Sequence, residues 1–208
     1  MNKMKKNKWL LALMTLLIVA VLAACGTSED EGETNTGSTS DGGEQKKTLV
    51  VGTSADYAPF EFVDTAVSDE IIGFDIDLIK TIGEKLGYEI QVKNMDFNSL
   101  IPALQAKQFD VVISGMTPTE ERDEVVDFSV PYYETEQYLL FDKSKGYKEI
   151  SELKGGTVGA QTSSIQLDLA EELATEYGFK AESRNLIPEL IQEIIIGRFD
   201  AAVIENIV

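Results

Sequence analysis

A five-residue pattern that returns after 90 positions restricts the architectures open to this chain. Leu100, Ile101, Leu104, Phe109 and Asp110 are matched by Leu190, Ile191, Ile194, Phe199 and Asp200. Each copy reads as an apolar helical face, a Phe-Asp turn and an apolar strand, Phe109–Ile113 in the first and Asp200–Ile204 in the second. The recurrence fits generic βαβ similarity, and it equally fits two similar lobes around a cleft.

The surrounding segments keep the same rhythm. TLVVGTS from Thr48 reads as a buried strand entering a small-residue turn, and Glu61–Val63 as a strand that pairs locally before the Asp64–Glu70 loop. Ile76, Ile79, Ile82 and Leu86 sit near helical spacing after Asp75, and Gly87 closes that helix. Tyr88–Lys93 alternates as a strand. Tyr138–Phe141 and Thr157–Ala160 are strands, Ile165–Tyr177 a helix, Phe179–Arg184 a strand and Ile187–Ile196 a helix. Alternating strands and helices predict an α/β fold with largely parallel sheets. Ligands in open α/β sheets sit beyond the carboxyl ends of the strands, which puts Asp56–Phe60 and Ser114–Thr117 on one rim.

The segment Phe109–Arg122, FDVVISGMTPTEER, carries the most chemistry. The run Val111–Ile113 suits a strand buried on both faces. Ser114, Gly115 and Thr117 follow as a turn, and Thr119 stands as a helix N-cap before Glu120 and Glu121. Free N–H groups at such a turn favour an anion, and Arg122 adds a planar fork that grips a carboxylate bidentately. A capped helix with a surface arginine paired to an acid is the competing explanation.

Seven motifs decide between them. GTSADYAPFEF (Gly52–Phe62), GFDIDL (Gly73–Leu78), DFNSLIPAL (Asp96–Leu104), SGMTPTEER (Ser114–Arg122), DFSVPYY (Asp127–Tyr133), LKGGTVGAQ (Leu153–Gln161) and RFDAAVIEN (Arg198–Asn206) occur in this order. Together they resemble the polar amino-acid-binding proteins of ABC importers, solute-binding protein family 3, over residues 48–208. The wording of SADYAPFEF, SSIQ and VIEN resembles the arginine- and basic-amino-acid-binding lipoproteins. The resemblance implies a two-lobed periplasmic-binding-protein-like fold, each lobe a mostly parallel sheet flanked by helices. It divides the chain into lobe I (48–136) and lobe II (137–208), with Tyr138–Phe141 as the strand that crosses between them. Family members continue beyond the position of Val208, so both lobes are expected to be incomplete here.

An amino acid presents a carboxylate, an ammonium and a side chain. The resemblance assigns the carboxylate to Arg122 and to N–H groups near Thr117 and Ile165, with Ser164 and Gln161 on the same loop. Glu205 stands where many members use Asp for the ammonium. The Gly115 carbonyl and Ser114 add further contacts. Tyr57, Phe60 and Phe97 are candidate walls, since aromatic faces clamp an aliphatic stem or stack on a guanidinium. Asp56 and Glu61 are the acids nearest the rim for a basic side chain. Some basic-amino-acid binders carry Asp where this chain has Ser54.

The N-terminus reads as a targeting segment, 1–24, excluded from fold reasoning. Lys3, Lys5, Lys6 and Lys8 precede an apolar run of 16 residues, Trp9–Ala24, shorter than the roughly 20 a spanning helix needs. Leu22-Ala23-Ala24-Cys25 resembles a lipobox, which makes Cys25 the expected lipidation site and the membrane an expected partner through its lipid. Residues 25–47, rich in Gly, Ser, Thr, Asp and Glu, read as a flexible tether. The expected address is the extracytoplasmic face of the cell membrane, with an ABC permease as the protein partner.

Composition removes several chemistries. The sequence has one Cys and no His, which excludes an intramolecular disulfide, histidine-based triads and imidazole metal sites. No cofactor or metal is expected. Four of the 18 basic residues fall in the targeting segment, leaving 14 against 36 acidic ones, a net charge of −22. Such a surface repels nucleic acid. Two alternatives stay open: a fold-related enzyme (dehydratase or wall-cleaving lyase) and a sensory ligand-binding domain.

Overall fold

Three parallel strands define the first sheet of the computed structural model, which describes residues 47–208. The targeting segment, Cys25 and the tether up to residue 46 lie outside the described residues. Strand β1 (Lys47–Thr53) is central. Parallel to it run β5 (Tyr88–Asn94) on one side and β6 (Val111–Val112) on the other, with Val51 opposite Val111. A small antiparallel sheet, β2 (Asp56–Tyr57), β3 (Glu61–Val63) and β4 (Ile71–Ile72), is built from the loop that follows β1. Glu61–Val63 thus pairs locally, as its position predicts.

Helix α1 (Phe74–Leu86) ends at Gly87 in the left-handed region, with φ at 76°, as the Gly after a helix predicts. Its inward line differs from the expected one. Ile76 and Ile79 are buried, but Ile82 and Leu86 are exposed. Gly83 takes the place of Ile82, because the helix comes so close to β5 that a Cβ there would stand 2.4 Å from Ile90. Helix α2 (Phe97–Gln105) buries Leu100 and Ala103 against Phe109. The four-residue helix α3 (Glu120–Asp123) starts at Thr119, whose Oγ1 accepts the Arg122 N–H at 3.2 Å. The expected strand Phe109–Ile113 shortens to Val111–Val112, both half-buried. This strand sits at the sheet edge with one paired neighbour, and its two side chains pack into different apolar clusters, Val111 with Val51 and Ile79 and Val112 with Leu100 and Phe109.

The second sheet has the order β7-β10-β8-β9, from β7 (Gln137–Leu140), β10 (Ala201–Glu205), β8 (Thr157–Gln161) and β9 (Lys180–Arg184). β7 is antiparallel to β10, and the other pairs are parallel. Helix α4 (Ile165–Tyr177) covers one apolar cluster with Val158, Ala160 and Val203. Helix α5 (Ile187–Ile195) covers another with Phe199, Ala202 and Ile204.

The repeat read at an offset of 90 is structural. Asp110 Oδ2 accepts the Val50 N–H at 2.8 Å, and the Asp110 N–H donates to the Val50 carbonyl at 2.8 Å. Asp200 does the same to Thr157, at 2.9 and 2.8 Å. Phe109 lies over Gly52 and Phe199 over Gly159, each ring so close that a Cβ on the glycine would meet it at 2.4 Å. Each half therefore locks its strand pair with one carboxylate and one ring. The fold is two-lobed α/β, and the second sheet begins at Gln137.

Candidate ligand cleft

Four parallel strands end at one place. Ser54 and Asp56 follow β1, Ser114 follows β6, Gln161 ends β8 and Glu205 ends β10, and all of these residues line a single cleft between the two sheets. This is the rim that the carboxyl-end rule predicts. The cleft encloses about 20 Å³, space for roughly one water, so the lobes stand closed over it. A more open recess of about 440 Å³ adjoins it and shares Gly115, Thr117, Ile165 and Glu205 with it. The aromatic residues Phe60, Tyr132 and Tyr133 bound that recess, which is of ligand-site size.

Arg122 bridges the lobes. Its Nη1 donates to the Thr117 carbonyl at 2.6 Å and its Nη2 to the Ser163 carbonyl at 2.8 Å, while its guanidinium carbon lies 5.6 Å from the centre of the Phe97 ring. Burial lowers the guanidinium pKa, and the charges of Asp168 and Glu121 oppose that shift. Ile165, on the cleft wall, is the first residue of α4, whose opening N–H groups have no acceptor within the helix. Ser164 is buried but does not line the cleft. Its Oγ caps α4 by accepting the Leu167 N–H at 3.2 Å, and it donates to the Gln161 carbonyl at 2.7 Å.

Glu205 is buried and held by neutral donors: Tyr57 Oη at 2.7 Å, Gln166 Nε2 at 3.2 Å and Gln137 Nε2 at 3.5 Å. The Tyr57 phenol is pushed well above its ordinary pKa by burial and by this carboxylate. Tyr57 stacks on Phe60, with ring centres 5.6 Å apart. Phe60 is core, 3% exposed, and does not line the cleft itself.

Asp56 crosses to the other lobe with both oxygens engaged. Oδ2 accepts the Ile187 N–H at the start of α5 at 2.7 Å and Gln161 Nε2 at 3.3 Å, and Oδ1 accepts the Ser54 hydroxyl at 2.8 Å. Burial raises its pKa, against the pull of those donors. Glu61 is fully buried, with Oε1 accepting the Ser114 hydroxyl at 2.8 Å. Its pKa is pushed up to about 10 by burial first, and then by Asp75. The Ser114 Oγ also accepts the Ser54 N–H at 2.9 Å. The Gly115 N–H donates to Asp75 Oδ2 at 2.8 Å. Gly115 has φ at +52°, and a Cβ there would press on the Tyr57 ring at 3.2 Å.

Of the residues singled out in the sequence, Asp56, Tyr57, Glu61, Phe97, Ser114, Gly115, Thr117, Arg122, Gln161, Ile165 and Glu205 come together in this one cleft. Sequence reasoning missed Gln166 and Ile187, which also line it, and Asp75 behind it. Ile187 was accessible to the carboxyl-end rule, since it follows β9. Asp75 reads only as an acid in a helix's first turn.

The sequence matches the bacterial extracellular solute-binding proteins, family 3, over residues 49–158. It is 51% identical over 202 residues to the arginine-binding extracellular protein ArtP of Bacillus subtilis (strain 168), covering 97% of this chain and 74% of that protein. The chain belongs to this family. Among solved structures, an ancestral arginine-binding protein bound to arginine is 43% identical, with a TM-score of 0.72, over 77% of this chain and 71% of that one. An ancestral arginine-binding protein bound to glutamine superposes with the same TM-score of 0.72 and the same 43% identity, over 77% of this chain and 70% of that one. The family places the chain outside the cytoplasm, as the solute-capturing part of an importer.

Proposed function

We propose that the chain captures a basic amino acid, arginine foremost, between its lobes and presents it to an ABC permease. One observation carries this reading: a single guanidinium, Arg122, and two buried carboxyls, Glu205 and Glu61, line the same cleft as the aromatic side chains Tyr57 and Phe97. Arg122 takes the α-carboxylate once its bonds to the Thr117 and Ser163 carbonyls give way. Glu205 takes the α-ammonium, and Glu61 receives the distal cation. Tyr57 and Phe97 flank the aliphatic stem. Similarity to proteins bound to arginine and to glutamine supports a distal subsite that accepts a guanidinium or a carboxamide. Ligand entry requires the lobes to part, because the closed cleft holds only about 20 Å³.

Calorimetric titration against the twenty amino acids tests this reading. Saturable binding of arginine is the expected result, and no heat with any basic amino acid overturns it. The same reading puts a lipid on Cys25, which tethers the protein to the membrane surface. Labelled palmitate should enter the protein and be lost in Cys25→Ala; equal labelling of the two would remove the anchor.

A further inference from the structure

Two carboxyl groups lie buried together at the inner end of the cleft. Glu61 on β3 and Asp75 in the first turn of α1 are each 0% exposed. Glu61 Oε1 accepts the Ser114 hydroxyl, and Asp75 Oδ2 accepts both the Gly115 N–H and the Tyr132 hydroxyl, each at 2.8 Å. The two remaining oxygens, Glu61 Oε2 and Asp75 Oδ1, receive no donor from elsewhere in the protein. The two carboxyls are within hydrogen-bonding reach of each other. Two carboxylates cannot form that bond: both oxygens are acceptors, and the two charges would repel without solvent. A proton on one of them turns that acceptor into a donor and removes the repulsion.

The neighbours do not supply a counter-charge. Asp56, from β2, is a further acid facing Glu61. Tyr57 from β2 and Tyr132 from the segment before β7 bring neutral phenols, and Ser114 after β6 brings a hydroxyl. Arg122 is committed to the Thr117 and Ser163 carbonyls. No ion pair among the described residues reaches Glu61 or Asp75. Glu61 lines the cleft, whereas Asp75 stands behind it and grips the Gly115 backbone.

We infer that Glu61 and Asp75 share one proton in the ligand-free protein and release it to solvent when a cationic side chain docks on Glu61. The guanidinium brings both the donors and the positive charge that the proton supplied, so Glu61 ionises at no net change in charge. A neutral side chain of the same shape brings donors without charge, and the proton stays. The subsite is then a proton-exchanging selector: affinity for a cation rises with pH while Glu61 still holds its proton, and affinity for a neutral isostere does not. The burial that pushes Glu61 up to about 10 keeps this exchange active at neutral pH.

This inference rests on the amino-acid-binding reading, so its test has one arm that needs no ligand. In the full ligand-free chain at pH 7, difference infrared spectroscopy against Glu61→Gln should reveal the C=O band of a protonated carboxyl. Its absence overturns the shared proton whatever the protein binds. The second arm titrates arginine and its neutral isostere citrulline in buffers of different ionisation enthalpy. Arginine should release about one proton per molecule bound and citrulline none. Glu61→Gln should lose most of its arginine affinity, and whatever arginine binding remains should show no buffer dependence. Buffer-independent arginine enthalpies in the unsubstituted protein overturn the exchange. A protein that binds no amino acid but displays the carboxyl band refutes the functional reading and leaves the proton pair standing.

Discussion

The Tyr57 hydroxyl donates to Glu205 Oε2 at 2.7 Å, tying the turn after the first sheet's central strand to the last strand of the second sheet. The two residues are 148 positions apart, and both line the cleft. A phenol bonded to a buried carboxylate is a charge-assisted contact made only when the lobes are closed. Glu205 is thus neutrally solvated before any ammonium arrives.

Tyr57→Phe should loosen that closure. A hydrogen bond to a charged group contributes about 1.5–3 kcal/mol, so the closed-to-open ratio of the ligand-free protein should fall by roughly ten- to a hundredfold. Small-angle scattering would read the change as a larger radius of gyration. An unchanged radius in the mutant would mean that the Tyr57–Glu205 bond does not hold the lobes.

Asp56 is the second cross-lobe tie, with both of its carboxylate oxygens engaged by protein donors. Its carboxylate meets the Ile187 N–H at 2.7 Å at the N-terminus of α5, where a negative charge is favoured by the helix dipole. Asp56→Ala should therefore weaken arginine binding by about tenfold, as loss of a helix cap and a charge-assisted bond costs about 1–2 kcal/mol. Asp56→Asn, which still accepts from Ile187, should recover part of it. If Asp56 instead touched the ligand's cation directly, Asn would behave like Ala for arginine while leaving citrulline binding intact.

Much of this arrangement was legible in the sequence, and the physical reasons are specific. Val51, Val158 and Val203 lie in apolar strands, and ligands collect where such strands end, so the rim could be placed without coordinates. The Phe-Asp repeat was visible because both copies solve one local problem, pinning one N–H of a neighbouring strand and covering a glycine. What could not be read was which acids speak to each other. Asp56 stands next to the rim in sequence, yet its partner Ile187 is 131 positions away. Asp75 looks like an ordinary first-turn acid, and only the folding of β3 against α1 buries it beside Glu61. Ile82 misled in the same way: helical spacing predicts a face, but the close approach at Gly83 rotates that face away from it.

Gly159→Ala should destabilise the second lobe by about 1–3 kcal/mol. The added Cβ would stand 2.4 Å from the Phe199 ring and 3.0 Å from Leu190, both fully buried, so neither can yield without disturbing the core. Gly52→Ala should act the same way in the first lobe, against Phe109 at 2.4 Å. Chemical denaturation would read both effects. Pairing Gly159→Ala with Phe199→Leu should recover part of the loss, and a fully additive double mutant would count against the ring as the source of strain.

Arg122→Ala should weaken arginine binding by at least about tenfold, since the loss of a charge-assisted bond costs about 1.5–3 kcal/mol. Arg122→Lys should restore only part of this, because a single ammonium cannot span the Thr117 and Ser163 carbonyls or present a fork to a carboxylate. Calorimetry on the three proteins decides it. Equal affinity for the native chain and the alanine variant would take Arg122 out of the site.

The stability of the ligand-free protein should fall as pH rises, and Glu61 should be a principal reason. Its folded pKa is raised to about 10 from an ordinary 4.5, so between those values the folded state holds a proton that the unfolded chain has lost. Stability to unfolding then decreases with pH, at up to about 1.4 kcal/mol per unit for one proton, and is greatest below the unfolded value. Glu61→Gln removes this proton while keeping the shape of the side chain. Its stability should exceed that of the native chain increasingly from pH 5 towards about 10, and the two should converge below the ordinary carboxylate range. Urea midpoints across that window measure the difference directly. Parallel pH profiles for the two proteins would show that Glu61 is already ionised in the folded state.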